Sequence, residues 1–375
     1  MDEPIPLARP EVTDEDISAV SAVLRTPFLS GGPELLRFEA AIAAYAGVPH
    51  AIAVNSGTSA LHLILRSSNL KPGDEVIVPS FAFAAVGNVL LQENLVPVFA
   101  DIEADTFNLD LTSIQNAIGP QTRAILFVQT FGIPAKVQEL RKVADAMRLF
   151  LIEDASEALG TSIGNQRAGS FGDASVFAFY PNKMLTTGEG GAVVTANSEI
   201  ADRCRRLRNQ GRQTSADWYQ QMEVGFSYRL SEMNCALGRS QLSRIDSVLR
   251  RRKKIAEAYR ARLEGNPDLK LVTERPGEAI GWFTYPVLLS DRFNQKHRDR
   301  LWLELNGVGI GCARYFAPLH RQPVTKGRCR VADNLTITDS VSSRIFQLPF
   351  FNEITEGQID RVCQELTWAL NNLRC

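Results

Sequence analysis

Between residue 50 and about residue 195, short apolar runs alternate with stretches of helical period. The runs Ala51–Val54, Glu75–Val78, Val96–Ala100, Ala124–Val128, Leu149–Glu153, Ala174–Phe179 and Ala192–Val194 read as strands. Ser59–Leu65, Ala84–Glu93 and Val137–Met147 read as helices between them. Near-continuous aliphatic strands separated by helices predict an α/β fold with a mostly parallel sheet covered on both faces. Ahead of this block, Thr13-Asp14-Glu15-Asp16 resembles a capping box and opens a helix to about Leu24. Behind it, Ser231 to about Leu263 reads as one long helix, and Pro267 then punctuates the chain. Trp282–Leu289 reads as a strand, and Asn294–Leu305 and Glu356–Leu373 as helices. The change of texture sets an expected boundary near residue 245: an arm and large domain over 1–245, and a smaller α+β domain over 246–375.

Composition narrows the classes without changing this picture. The 375 residues are 45% hydrophobic and 22% charged, and 41 Lys+Arg against 42 Asp+Glu leave a net charge of -1. That balance argues against a chain built to neutralise nucleic-acid phosphates or coat anionic membranes. No apolar run approaches the ~18 residues of a membrane span. Met1-Asp2-Glu3-Pro4 is acidic rather than signal-like. Six dispersed cysteines without a C-x-x-C suit a reducing cytoplasm. The four histidines lack metal-ligand spacing, so no metal site is expected.

Three short stretches carry candidate chemistry. Asn55-Ser56-Gly57-Thr58-Ser59 follows a strand and opens a helix, where free N–H groups and hydroxyls cradle an anion; a plain N-cap is the competing reading. Glu153-Asp154 puts carboxylates at the C-terminal end of a buried strand, where open α/β sheets bind ligands. Lys183 sits between an aromatic strand and Gly188-Glu189-Gly190-Gly191, a setting that can desolvate its amine. Taken together, these are the parts pyridoxal 5'-phosphate needs: a helix N-terminus for the phosphate, a carboxylate for the pyridine nitrogen and a lysine for the aldehyde. Arg250-Arg251-Arg252-Lys253-Lys254 reads as a solvated helix face and His62 as a packed histidine.

These motifs resemble those of the DegT/DnrJ/EryC1/StrS family of sugar aminotransferases, a branch of the fold-type I enzymes. Pro72-Gly73-Asp74-Glu75-Val76, Gly169-Ser170-Phe171-Gly172-Asp173, Gly225-Phe226-Ser227-Tyr228-Arg229 and Pro318-Leu319-His320 extend the resemblance over nearly the whole chain. It assigns Lys183 to the covalent bond with the cofactor and to proton transfer, and Asp154 to the pyridine nitrogen. Ser56, Gly57 and Thr58 would hold the phosphate, Phe83 would stack on the ring, and Glu157 would lie near the phenolic oxygen. Arg229 would reach the phosphate of a neighbouring subunit, with Ser227 beside it, which implies a homodimer with shared active sites. Arg314 and His320 would meet the substrate. The chain departs from the family pattern at Ser227 (for asparagine), at Ala178 (for serine) and at Ala313, where the arginine falls one place later as Arg314.

The resemblance implies amino transfer, with L-glutamate as donor and a nucleotide-linked keto-deoxy sugar, a 4-keto-6-deoxyhexose, as acceptor. Asp105-Thr106-Phe107-Asn108-Leu109-Asp110 resembles the perosamine-synthase-like subgroup and favours amination at C4. The alternatives are another keto-sugar or a keto-cyclitol, a sugar dehydratase, or a non-catalytic regulatory homologue. Those dehydratases carry histidine where this chain has Lys183, and a regulatory scaffold would not need the full set of Lys183, Asp154 and phosphate loop.

Overall fold

The computed structural model describes residues 3–213 and 220–373, so Cys375 lies outside the described residues. In chain order the strands are β1 (His50–Val54), β2 (Glu75–Pro79), β3 (Val96–Ala100), β4 (Thr122–Val128), β5 (Phe150–Asp154), β6 (Ser162–Ile163) and β7 (Gln166–Arg167). They continue with β8 (Ala174–Ala178), β9 (Gly191–Thr195), β10 (Leu269–Leu271), β11 (Glu278–Ala279), β12 (Tyr285–Leu289), β13 (Arg330–Val331) and β14 (Ile345–Leu348). The large sheet has the order β1-β9-β8-β5-β4-β2-β3-β13. Only β9 runs antiparallel to its neighbours; every other pairing in that sheet is parallel. The sheet is therefore the mostly parallel one that the apolar runs predict.

Both faces of this sheet are covered, which is why its strands tolerate so few polar residues. On one face α2 (Pro33–Ala46), α5 (Leu111–Ala117), α6 (Val137–Met147) and α8 (Glu232–Ser243) pack on Ile125, Phe127, Leu151 and Phe177. On the other, α3 (Gly57–Ser67), α4 (Ala84–Gln92) and α7 (Ser198–Arg208) pack on Leu126, Val128, Ile152 and Val176. Helix α1 (Asp14–Val23) starts with the expected capping box: Asp16 accepts from the Thr13 amide at 3.0 Å, and Thr13 Oγ1 accepts from the Asp16 amide at 3.4 Å.

The long helix expected over Ser231–Leu263 is two helices. Helix α8 ends at Ser243, Arg244 leaves the helical region (φ -111°, ψ 11°), and α9 (Ile245–Leu263) sets off anew. Each segment has its own core to serve. Cys235 and Leu242 face the large sheet, while Ile255, Tyr259 and Leu263 face the antiparallel sheet β10-β12-β14. The corner is pinned by ion pairs of Arg244 with Asp16 and Glu11. Helices α10 (Gln295–Gly307) and α12 (Glu356–Leu373) complete the second core.

The chain beyond residue 245 also returns to the first sheet. Strand β13 pairs in parallel with β3, and α11 (Thr336–Arg344) is capped by Asp101, which accepts from the Ile337 and Thr338 amides at 3.0 and 2.7 Å. The basic run 250–254 differs from a solvated face: Arg252 is only 3% exposed, and Arg251 is bound to Glu11. Among the described residues, no helix is long and apolar enough to cross a membrane.

Candidate active site

The C-terminal ends of β1, β4 and β5 open onto a cavity of about 420 Å³, within the usual range for small-molecule sites. Its floor starts where β1 turns into α3. Ser56 is the N-cap, its hydroxyl accepting from the Ser59 amide at 3.0 Å. The amides of Gly57 and Thr58 lie in the first helical turn, where helix geometry supplies no carbonyl partner. Glycine is required here by close packing: a Cβ on Gly57 would come within 2.7 Å of the Ala178 methyl. The same crowding explains Gly191 at the start of β9, where a Cβ would lie 2.6 Å from the Gly57 nitrogen.

Glu153 and Asp154, adjacent in sequence, face opposite sides of the sheet. Glu153 is fully buried and accepts from the Gly169 and Phe171 amides, the Ser175 hydroxyl and the Gln129 amide. Asp154 lines the cavity and accepts from the Ser156 amide at 2.9 Å. Burial raises the Asp154 carboxyl above its usual range, against the pull of Ser156 and of the Lys183 charge.

Lys183 follows β8 on a loop closed by backbone bonds from Phe179 to Gly190 and from Thr187 to Phe179. Its Nζ lies 3.7 Å from Glu157 Oε1 and 3.9 Å from the centroid of the Phe283 ring. Burial lowers the Lys183 amine, with Glu157 and Asp154 opposing the shift. Burial raises Glu157 in turn, and its other oxygen accepts from the Phe131 amide at 2.9 Å.

Ser56, Gly57, Thr58, Phe83, Asp154, Glu157 and Lys183 thus line one cavity. Four other expected residues do not line it. Ser227 and Arg229 are exposed, with Arg229 bonded to Asn209 and to Ser227, both at 2.9 Å. Arg314 is held by Asp299 at 2.9 Å and lies over the Trp302 ring, 4.2 Å from its centroid. Both partners come from α10, so the guanidinium points along that helix rather than into the cavity. His320 is bonded to the Ser80 hydroxyl at 2.7 Å and faces Asp339 at 3.5 Å. It ties its loop to the end of β2.

His62 is packed, as expected. It is bonded to Tyr228 and Glu93 and lies beside the Phe226 ring. The motifs missed Phe283, Tyr315, Phe316 and Asn182, which also line the cavity. Phe283 falls in the run that reads as a strand and Tyr315-Phe316 beside Arg314, but a local pattern does not say that either would meet Lys183, which lies about 100 or more residues away in the chain. Asn182, next to Lys183, was within reach; its buried Oδ1 has no hydrogen-bond partner among the described residues.

The arrangement fits pyridoxal phosphate. Unpaired N–H groups at the α3 terminus suit a phosphate, and Phe83, 64% exposed, offers a ring face. Across the cavity Asp154 can hold a proton on a ring nitrogen, and the desolvated Lys183 amine can attack an aldehyde.

Comparison with known proteins agrees. The sequence profile of the DegT/DnrJ/EryC1/StrS aminotransferase family matches residues 10–367. The chain is 32% identical to a GDP-perosamine synthase of Vibrio cholerae, over 96% of this chain and 97% of that protein. It is 35% identical to a GDP-perosamine synthase of Caulobacter vibrioides, over 98% of each. Among solved structures it resembles Helicobacter pylori PseC, an aminotransferase involved in the biosynthesis of pseudoaminic acid. The TM-score is 0.94 and the identity 28%, over 99% of this chain and 100% of that one.

Proposed function

The chain belongs to the DegT/DnrJ/EryC1/StrS aminotransferase family, and from that premise we propose that it moves an amino group from L-glutamate to a nucleotide-linked 4-keto-6-deoxyhexose. It is a pyridoxal-phosphate-dependent sugar aminotransferase. The observation that carries the reading is the Lys183 amine and the Asp154 carboxylate in one cavity at the mouth of the parallel strands. The kinship to two GDP-perosamine synthases and the Asp105–Asp110 stretch support amination at C4.

Pyridoxal phosphate, when bound, supplies an aldehyde that takes up the amino group and a ring that accepts an electron pair. The chain's own residues do the rest. The first turn of α3 would hold the phosphate end, and Phe83 would lie against the ring. Asp154 would hold a proton at the ring nitrogen, and its buried setting would strengthen that interaction. Lys183 would bond the cofactor's aldehyde in the resting enzyme, and its Nζ would serve as the base that moves the proton of the transfer. Glu157, 3.7 Å from that nitrogen, orients it.

Among the described residues, the cavity wall carries a single cation, Lys183, against Asp154, Glu157 and Glu189. The phosphate of the cofactor would then rest on the N–H groups of α3 without a cation beside it, and a nucleotide diphosphate would find none. A second copy supplying Arg229 across a two-fold interface would complete both sites, and the neutral partners of Arg229 leave its charge available. Co-expressing Lys183→Ala and Arg229→Ala chains tests this. In mixed dimers one site would carry both defects and the other neither, so activity returns above both parents. Mixed dimers with no recovery would put Arg229 in its own subunit's structure.

The acceptor is tested by half-reactions. Glutamate converts the visible spectrum to the amine form, and a panel of nucleotide-linked keto-sugars and a keto-cyclitol is then scored for the spectral return. Return with 4-keto-6-deoxyhexoses supports the proposal; return only with a 3-keto sugar or the cyclitol overturns it.

A further inference from the structure

The most deeply held arginine of the basic run has no place in the reading above. Arg252, on α9, is 3% exposed, and its acceptors are three neutral oxygens. Its Nε donates to the Trp282 carbonyl at 2.6 Å, one terminal nitrogen to the Phe283 carbonyl at 2.8 Å, and the other to Asn352 Oδ1 at 2.9 Å. Its guanidinium carbon lies 4.8 Å from the centroid of the Phe350 ring. A buried cation without a touching carboxylate is costly. The neutral partners it does have fix two consecutive backbone carbonyls in direction, as only a planar fork can.

Those carbonyls belong to the residues that roof the amine. The Phe283 ring is 4% exposed, with its centroid 3.9 Å from Lys183 Nζ. A ring face at that distance attracts a cation and favours the charged amine, while burial favours the neutral one. On the outer side, Asn352 Nδ2 donates to Glu11 at 2.7 Å, so the brace is anchored to the N-terminal arm.

We propose that Arg252 is a positioning residue that holds Phe283 over Lys183, and that the ring and the brace together set how readily the amine gives up its proton. The other groups facing Lys183 are the carboxylates of Glu157 and Asp154; Tyr180, Glu189 and Tyr315 line the same cavity. Glu157 and Asp154 favour the charged amine regardless of the ring, so the proposal concerns the increment due to Phe283. It rests on Lys183 being the amine that bonds pyridoxal phosphate, and its test uses neither donor nor sugar, so it can fail independently of the acceptor assignment.

The test is the rate at which the full-length, cofactor-free chain takes up pyridoxal phosphate, followed through the visible band as a function of pH. Only the neutral amine reacts, so the midpoint of the profile reports its protonation. Phe283→Leu keeps an apolar roof without a quadrupole and should move the midpoint down by about 0.5–1 pH unit. Phe283→Tyr should restore it. Arg252→Lys keeps the charge but loses the fork; the midpoint should move the same way, and the double variant no further than Phe283→Leu alone.

An unchanged midpoint in Phe283→Leu overturns the proposal. Additive shifts in the double variant, or none in Arg252→Lys, overturn the role of Arg252. If Arg252→Lys does not fold, Asn352→Ala removes only the outer acceptor: a smaller shift in the same direction supports the brace, and none overturns it.

Discussion

The two faces of the last turnout of β5 hold the same chemical group in opposite states of commitment. On one face, Glu153 receives four hydrogen bonds from protein donors and sits wholly inside the structure. On the other, Asp154 is bonded to the amide and the hydroxyl of the single residue Ser156, and faces Lys183 across the cavity. Burial pushes both carboxyl groups upward. What separates them is how many of their lone pairs the protein has already used. A saturated carboxylate is a structural clasp, here binding the 169–171 turn to the sheet. One left with acceptor capacity in a cavity is available for chemistry.

The largest effect that can sharpen this contrast lies opposite Asp154. The parent should purify yellow, and Lys183→Ala should show no multiple-turnover transamination above background in a steady-state assay. Asp154→Asn should lose roughly 10²-fold or more in kcat, because an amide cannot hold the ring proton. Its cofactor-free form should unfold within about 1 kcal/mol of the parent, since the amide oxygen can still accept from Ser156. Near-normal kcat in Asp154→Asn would break the comparison at its chemical end.

Glu153→Gln should do the reverse. The amide NH2 would face donors that now point at a carboxylate, costing about 2–4 kcal/mol of stability by thermal or urea unfolding of the cofactor-free chain. The folded fraction should keep kcat within a few-fold. Ser175→Ala removes one of the four donors and should cost about 1 kcal/mol in the same assay. The smallest effect is expected at Arg314→Ala. Its exposed pair with Asp299 should be worth at most about 1 kcal/mol. KM for the keto-sugar should stay within about twofold, and a tenfold rise would return Arg314 to the acceptor.

Much of the site was legible because its parts are local. Ser56 caps a helix that begins right after a strand, Asp154 ends a strand, and Lys183 precedes a glycine-rich loop; each sits at a junction that short-range periodicity marks. The walls were not legible in that way. Phe283 meets Lys183 across 100 residues, and its carbonyl is held by Arg252, 31 residues upstream. His320 meets Ser80 across 240 residues and is thereby committed to holding a loop.

The sequence by itself determined the parallel sheet, the order of its motifs and the chemistry at the strand ends, because apolar runs, caps and glycine turns are encoded within a few residues of one another. Only the tertiary structure decided which of two neighbouring carboxylates would be consumed, where the helix at Arg244 would break, and that one arginine of a basic run would turn inward. Those outcomes depend on which donors, cores and backbone carbonyls the fold brings together from distant parts of the chain, and no local pattern carries that information.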